Sequence, residues 1–455
     1  MARRILVATT VAILVGGGAW AVFRPDQALR VAAGVAAHHV CSMTFVGGQD
    51  PTMTFRQLVV PMIGKVGSSL LTPRVLRDRQ RVEVDGPFRL LAAADFTPGY
   101  GCRLDLPGNR PLTADATRHA PRHDSFAPDA VVKPEGGLAT AMDRVFAERD
   151  GEPLKQVKAV VVVKDGKVVA ERYATGVDER SPLISFSVAK SFTNAFLGML
   201  AMRGRLDVTA PLDAPEWRGQ GDPRAVITVE NLMRMSSGLA AEEAESAFSP
   251  VAKMEFLHAD MAGFAAAQPA KEAPGTRFEY TSADTVLLDR MLGERVGGGP
   301  AGLRDFARHE LFDRLGMGDV TMEVDGQGTF VGSTYVYATA RDYARLGQLY
   351  LDDGVAPDGT RLLPQGWVAW SRRSTLGAPY GAGFWTNDGP SDVAKVRVDR
   401  GFPKDGFFAS GVMGQRIYVI PSQRLVVVRF GYSAPPSYGI EDDIGLIAAA
   451  IAAYR

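Results

Sequence analysis

The chain has 455 residues, 51 basic against 51 acidic side chains and 46% hydrophobic content. That length leaves room for two or three domains and a sizeable core. A formal net charge of zero with this apolar share argues for a globular protein, not one built around nucleic acid or an anionic surface.

Arg3 and Arg4 precede residues 5–23, which carry no charge, and Arg24 follows directly. An uncharged run of that length just reaches across a bilayer. Ala19-Trp20-Ala21 also fits the small-x-small pattern of a signal-peptidase site. Residues 1–24 therefore read as a signal anchor or a removable signal peptide, with Gly16-Gly17-Gly18 and the adjacent Arg24 favouring the anchor. Either way the body is expected outside the cytoplasm, anchored in the inner membrane and facing the periplasm or extracytoplasmic space, or secreted if the signal is cleaved. Cysteine usage agrees. Cys41 and Cys102 are the only two, and in an oxidising compartment they are expected to form one disulfide. Closing a loop of that length contributes about 4 kcal/mol on the chain-entropy model. His38 and His39 sit near Cys41, but further ligands are lacking, so no metal is expected.

Residues 25–105 read as a small α/β module. Residues 27–39 are Ala- and Val-rich and helical in character. Leu58-Val59-Val60-Pro61-Met62-Ile63 is an apolar run that Pro61 bars from the centre of a sheet. Arg81-Val82-Glu83-Val84-Asp85 alternates, Asp85-Gly86 signals a turn, and Phe88-Arg89-Leu90-Leu91-Ala92 completes an expected hairpin. The stretch 107–128 mixes Pro, Arg, His and Asp without periodicity, so 106–134 reads as a linker or surface strap.

Residues 135–455 form the main domain. After a helical stretch at 139–149, Val160-Val161-Val162-Val163 and Lys167-Val168-Val169-Ala170 flank Lys164-Asp165-Gly166, a strong hairpin signal. Four consecutive valines imply a strand buried on both faces. An apolar stripe through Phe192, Ala195, Phe196, Met199 and Met202, ended by Gly204, predicts a helix. Thr228 with Asn231 three residues on marks another helix start, closed by Ser236-Ser237-Gly238. Residues 240–270 read as helical. A turn and extended segment at 274–282 leads into a helix over 284–296 with Ser282 as N-cap, and 341–351 is helical again. Strands at 415–420 and 425–430 and a closing helix at 443–454 complete the chain. This order predicts an α+β fold: an antiparallel sheet flanked by helices, plus a mostly helical lobe over about 187–335. A cleft between the two is the natural small-molecule site.

The chemistry concentrates in Ser187-Val188-Ala189-Lys190. Positions i and i+3 share a helix face, so Lys190 can reach the Ser187 hydroxyl. A helix N-terminus and an apolar setting disfavour the ammonium, leaving an amine able to take a proton. The Ser187 backbone N–H, in the first turn, is a free donor for an oxyanion. The six histidines show no triad pattern and no G-x-S-x-G occurs, which disfavours an α/β-hydrolase.

S-x-x-K gains specificity from Pro274-Gly275-Thr276-Arg277-Phe278-Glu279-Tyr280-Thr281-Ser282 about 90 residues later and from Ala409-Ser410-Gly411-Val412 before the C-terminal strands. With these motifs the chain resembles the serine β-lactamase and penicillin-binding superfamily, and within it the class C-like hydrolases that include 6-aminohexanoate-dimer hydrolase and related esterases. The resemblance implies a serine hydrolase with a β-lactamase/transpeptidase-like fold and no cofactor. It implies Ser187 as acylated nucleophile, Lys190 as proton acceptor and Tyr280 as proton relay, with lysine and tyrosine both open as the base. The backbone N–H groups of Ser187 and Val412 would form the oxyanion hole, and Ser282, Ser410, Gly411 and Met413 would contact substrate. The family's Lys-Thr-Gly aligns with Ala409-Ser410-Gly411, which has no cation. That departure shifts the expectation from β-lactams and D,D-peptides to neutral or differently anchored amides and esters. The alternatives are a β-lactamase or D,D-peptidase, and a penicillin-binding-like sensor without turnover. Trp385 is expected as packing at the rim of the cleft.

Overall fold

A computed structural model describes residues 25–87, 89–119, 126–244, 246–435 and 438–454. The expected anchor or signal, Phe88 of the first hairpin and the middle of the 106–134 linker lie outside the described residues. Among the described residues no helix is long and apolar enough to cross a membrane, and no group of side chains could hold a metal ion.

The N-terminal part is a long helix, α1 (Pro25–Phe45), laid on a four-stranded antiparallel meander: β1 (Thr72–Leu76), β2 (Arg81–Asp85), β3 (Leu90–Thr97) and β4 (Gly101–Leu104). Between them the apolar run around Pro61 is helical, with α2 (Val60–Ser69) kinked at Gly64, whose φ is 77°. The Ala-rich face of α1 packs Val31, Val35, Ala36 and Val40 against Val82, Val84 and Ala94. Cys41 on α1 and Cys102 on β4 are joined by the expected disulfide, with Cα atoms 6.0 Å apart.

This part is joined to the body by buried polar contacts. Glu323 Oε1 accepts from the Ser42 hydroxyl at 2.7 Å and the Cys102 N–H at 2.7 Å, and Oε2 lies 3.0 Å from His38 Nε2. Phe256 of the helical lobe is part of the same apolar cluster as α1. Removing Glu323 would leave its donors unpaired in the interior, which is costly.

The main sheet is a six-stranded antiparallel array in the order β10 (Trp385–Thr386), β11 (Phe407–Gly411), β12 (Gln415–Ile420), β13 (Leu425–Gly431), β5 (Val157–Lys164) and β6 (Lys167–Tyr173). The valine run of β5 behaves as its pattern requires. Val160 and Val162 enter one core with α3 (Gly136–Phe146) and the closing helix (Ile440–Ala453). Val161 and Val163 enter the other, larger core beneath α4 (Ala189–Met202) and the helix Ala340–Leu351. On that second face the helix comes very close to the sheet: a Cβ at Gly347 would lie 2.6 Å from Val426. Bulk there would push the layers apart.

Two expectations fail in the helical lobe. Residues 240–270 are only partly helical, as Pro250–Leu257 and Met261–Ala266, because Ser249 and Asp260 cap short helices and 241–244 and 246–249 have no regular structure. The helix Ser282–Val296 is capped not by Ser282 but by Thr281, whose hydroxyl accepts from Ala283 N–H at 3.2 Å. Thr281 wins because it also donates to Ala241 O at 2.5 Å.

Candidate active site

Ser187 sits in a 3-10 turn, Phe186–Val188, that feeds α4. The preceding Phe186 adopts φ 43°, a left-handed conformation costly for a bulky side chain. The turn is held against a third sheet, three-stranded, formed by β7 (Leu183–Ile184), β8 (Thr321–Met322) and β9 (Val336–Ala338). There Ser185 donates to Thr334 O at 2.9 Å and accepts from Val336 N–H at 3.0 Å. Farther along α4, Thr193 donates to Asp289 Oδ1 at 2.7 Å, and Asn194 donates to Ala382 O at 2.8 Å. These buried polar bonds fix the helix that presents the S-x-x-K pair. Ser187 itself is half-buried, so its hydroxyl is accessible at the mouth of the site.

Lys190 is buried directly beneath it. Its Nζ lies 3.1 Å from Ser187 Oγ, 3.0 Å from Ser282 Oγ and 2.9 Å from Ser333 O. These three acceptors match the three donors of an ammonium, and none is a carboxylate. Burial lowers the Lys190 pKa, opposed by the more distant charges of Glu243, Glu255 and Asp289. Nζ also lies 5.0 Å from the centroid of the Tyr280 ring. A desolvated amine in contact with a serine hydroxyl can take its proton.

Tyr280, on the segment before the Ser282–Val296 helix, lies on the Ser187–Lys190 side of the site, its ring centroid 5.0 Å from Lys190 Nζ. Burial and then Glu243 push its phenol well above the usual tyrosine range, with Ser187 acting the other way. The hydroxyl is therefore protonated at neutral pH, a donor and relay more than a phenolate base. Its ring stacks on Trp385 at 5.6 Å and meets Tyr380 edge-on at 5.4 Å. Trp385 thus supports the ring of Tyr280 from edge strand β10.

The Ala409-Ser410-Gly411 segment is the end of strand β11, which pairs along its length with β12. Gly411 lies against the nucleophile turn: a Cβ there would stand 2.6 Å from Ser185 O and 3.0 Å from Ser187 N. Only a glycine lets the strand end approach so closely, and Val412 follows it directly in the chain. Ser410 is half-buried on the same strand. Met413 is buried with φ 61°, and its carbonyl accepts from Ser433 N–H at 2.9 Å. Ser282 is 1% exposed, and its hydroxyl lies 3.0 Å from Lys190 Nζ.

Two carboxylates escaped the sequence reading. Glu243 Oε2 accepts from Ser282 N–H at 2.5 Å, filling the capping role at the helix start from a distant loop. Glu255 Oε1 accepts from Thr334 Oγ1 at 2.9 Å, and burial followed by the charge of Glu243 pushes its pKa up to about 7. Both come from the 240–270 stretch, whose Ala-, Glu- and Met-rich composition read as helical. Only the tertiary path brings them to Lys190.

A family model described as Beta-lactamase matches residues 142–450, more than half of the chain. A 6-aminohexanoate-dimer hydrolase of Paenarthrobacter ureafaciens is 31% identical over 229 residues, covering 46% of this chain and 55% of that protein. The chain thus matches about half the length of that curated relative. Among solved structures, a Bacillus anthracis protein provisionally named a 6-aminohexanoate-dimer hydrolase superposes with a TM-score of 0.56 at 21% identity, over 73% of this chain and 90% of that one. A class C β-lactamase of Rhodobacter sphaeroides gives 0.52 at 18% identity, over 69% and 99%. At these identities the superpositions establish the fold, a mixed α+β architecture shared with penicillin-binding proteins. The family match carries the classification: the chain belongs to the Beta-lactamase family.

Proposed function

We propose that the protein hydrolyses a neutral amide or ester through an acyl-enzyme at Ser187. The observation that carries this is the Lys190 Nζ–Ser187 Oγ contact of 3.1 Å at a buried lysine whose other bonding partners are Ser282 Oγ and Ser333 O. In this reading Lys190 takes the Ser187 proton as Oγ adds to the substrate carbonyl. The oxyanion is received by the N–H groups of Ser187 and Val412. Tyr280 delivers a proton to the leaving nitrogen or oxygen as the tetrahedral intermediate collapses. A water then adds to the ester of Ser187, passing its proton to the same pair, and the acid and free serine are released.

The 6-aminohexanoate-dimer hydrolase similarity supports a linear amide among the substrates, and Ala409 in place of a cation weighs against carboxylate-anchored β-lactams. The test is a panel of neutral amides and esters with intact-mass detection of acylated protein, run beside a fluorescent penicillin. Acylation by the panel and not by penicillin supports the reading. Penicillin acylation with fast release would replace it with a β-lactamase, and an adduct that never releases would replace it with a sensor. The Cys41–Cys102 disulfide supports export to an oxidising compartment. A reporter fused after residue 30 that is active only outside the cytoplasm tests that part.

A further inference from the structure

A cleft of about 570 Å³ runs between the N-terminal part and the main domain and ends at Val412 and Met413, beside the nucleophile turn. Its volume is that of a small-molecule site. One wall is α1, which contributes Leu29 and Ala32; another is α2, with Met62; the 244–256 segment contributes Phe256. Among the described residues lining it none is charged, and Ser246 and Tyr438 are the polar ones. Leu29 and Ala32 are only half-buried, and Met62 is 37% exposed, so the wall is open to a ligand instead of being closed by packing. Val412 is likewise 37% exposed. Gly411, which precedes it, is pressed against Ser187 N.

We propose that this cleft is a subsite for an apolar chain on the substrate, so that the N-terminal part sets specificity for alkyl-bearing esters or amides. The inference rests on the Ser187 reading for the position of the reacting carbonyl. The cleft is lined by Val412 and Met413 and not by Ser187, Lys190 or Tyr280, so a carbonyl held between the Ser187 and Val412 N–H groups meets it on the Val412 side. A chain attached to that carbonyl exchanges water for the Leu29, Ala32, Met62 and Phe256 surfaces, and gains in proportion to the area covered. The described lining residues offer no charge to pair with a carboxylate or an ammonium, which would lose hydration against them. The chain belongs either to the acyl group or to the leaving alcohol or amine; the chemistry of recognition is the same.

The test is kcat/KM for two homologous series, p-nitrophenyl esters from acetyl to dodecanoyl and alkyl acetates of matching length. One series is expected to gain about two- to fourfold per methylene until the cleft is full, and which series rises identifies the side of the carbonyl. Ala32→Trp, which fills the cleft, and Leu29→Asp, which charges it, are each expected to lower the long-to-short ratio at least tenfold. Binding of a fluorescent undecanoyl probe to Ser187→Ala protein gives a readout independent of turnover, and both cleft substitutions are expected to weaken it. Flat series together with no probe binding would overturn the proposal. So would a chain-length gain that neither variant alters. Probe binding abolished by the variants in a protein that hydrolyses none of the esters would uphold the subsite and refute the proposed reaction.

Discussion

Two groups of buried cations flank the main sheet and are treated in opposite ways. Arg416 and Arg429 face the closing helix, where Asp443 meets them: Arg416 Nη1 lies 2.9 Å from Oδ2, and Arg429 Nε lies 3.7 Å from Oδ1. Tyr418 adds a hydroxyl donated to the same carboxylate at 2.8 Å. Lys190, on the other face, is surrounded by two serine hydroxyls and a carbonyl, with its carboxylates held at a distance. A guanidinium paired with a carboxylate is a permanent charge that ties sheet to helix. A primary amine denied that contact is left able to change its protonation. The difference teaches that neither burial nor the lack of a counter-charge singles out a proton acceptor by itself: Lys158 is also buried, with its Nζ on Gln57 Oε1, and what sets Lys190 apart is the Ser187 hydroxyl on its amine.

Substitutions at both places break or sharpen the contrast. Lys190→Arg makes the second site like the first, with a charge that cannot accept a proton, and is expected to lower kcat about 10³-fold or more in steady-state assays. Asp443→Asn does the reverse by stripping two buried guanidinium groups of their carboxylate. About 3–5 kcal/mol of stability should be lost in urea unfolding, with kcat per folded molecule little changed. If Asp443→Asn instead abolished turnover with the fold intact, the division of roles would be wrong. Opening the disulfide with Cys41→Ser and Cys102→Ser together is expected to cost about 2–4 kcal/mol, and tests the N-terminal part in the same unfolding assay.

The smallest effect concerns the carboxylates around Lys190. Folding raises the Glu255 pKa to about 7, so the folded state favours its uncharged form. Its contribution to stability is complete below the ordinary carboxyl range and is lost as pH rises through about 7. Glu255→Gln is expected to flatten that fall in Tm. It also removes a negative charge that raises the lysine pKa, so the rising limb of kcat/KM should move to lower pH by about one unit or less. A shift to higher pH would mean that Glu255 does not act through Lys190.

Much of this was readable from local pattern. The valines of β5 announced a strand with two cores because alternate side chains must enter opposite layers. Ser187 and Lys190 were readable because helical spacing alone carries the lysine to the hydroxyl, and the two cysteines because no other thiol competes for them. What stayed hidden depends on distant partners. Thr281 and Ser282 are equally good caps by residue type, and the choice is made by Ala241 O and Lys190. Strand β11 was read only as an entry to the strands that follow, since Phe407–Gly411 is short and lacks β-branched residues. Glu243 looked like surface because nothing in Ala240-Ala241-Glu242-Glu243-Ala244 predicts an irregular loop folded back onto Ser282.

The central claim is covalent, and mass reads it directly. Wild-type protein quenched in acid within the first turnovers on a short-chain p-nitrophenyl ester should carry one acyl group, located on the peptide containing Ser187. Ser187→Ala should carry none and should lose about 10⁴-fold or more in kcat. An acyl group found on another residue, or Ser187→Ala protein that acylates and turns over like the wild type, would contradict the account.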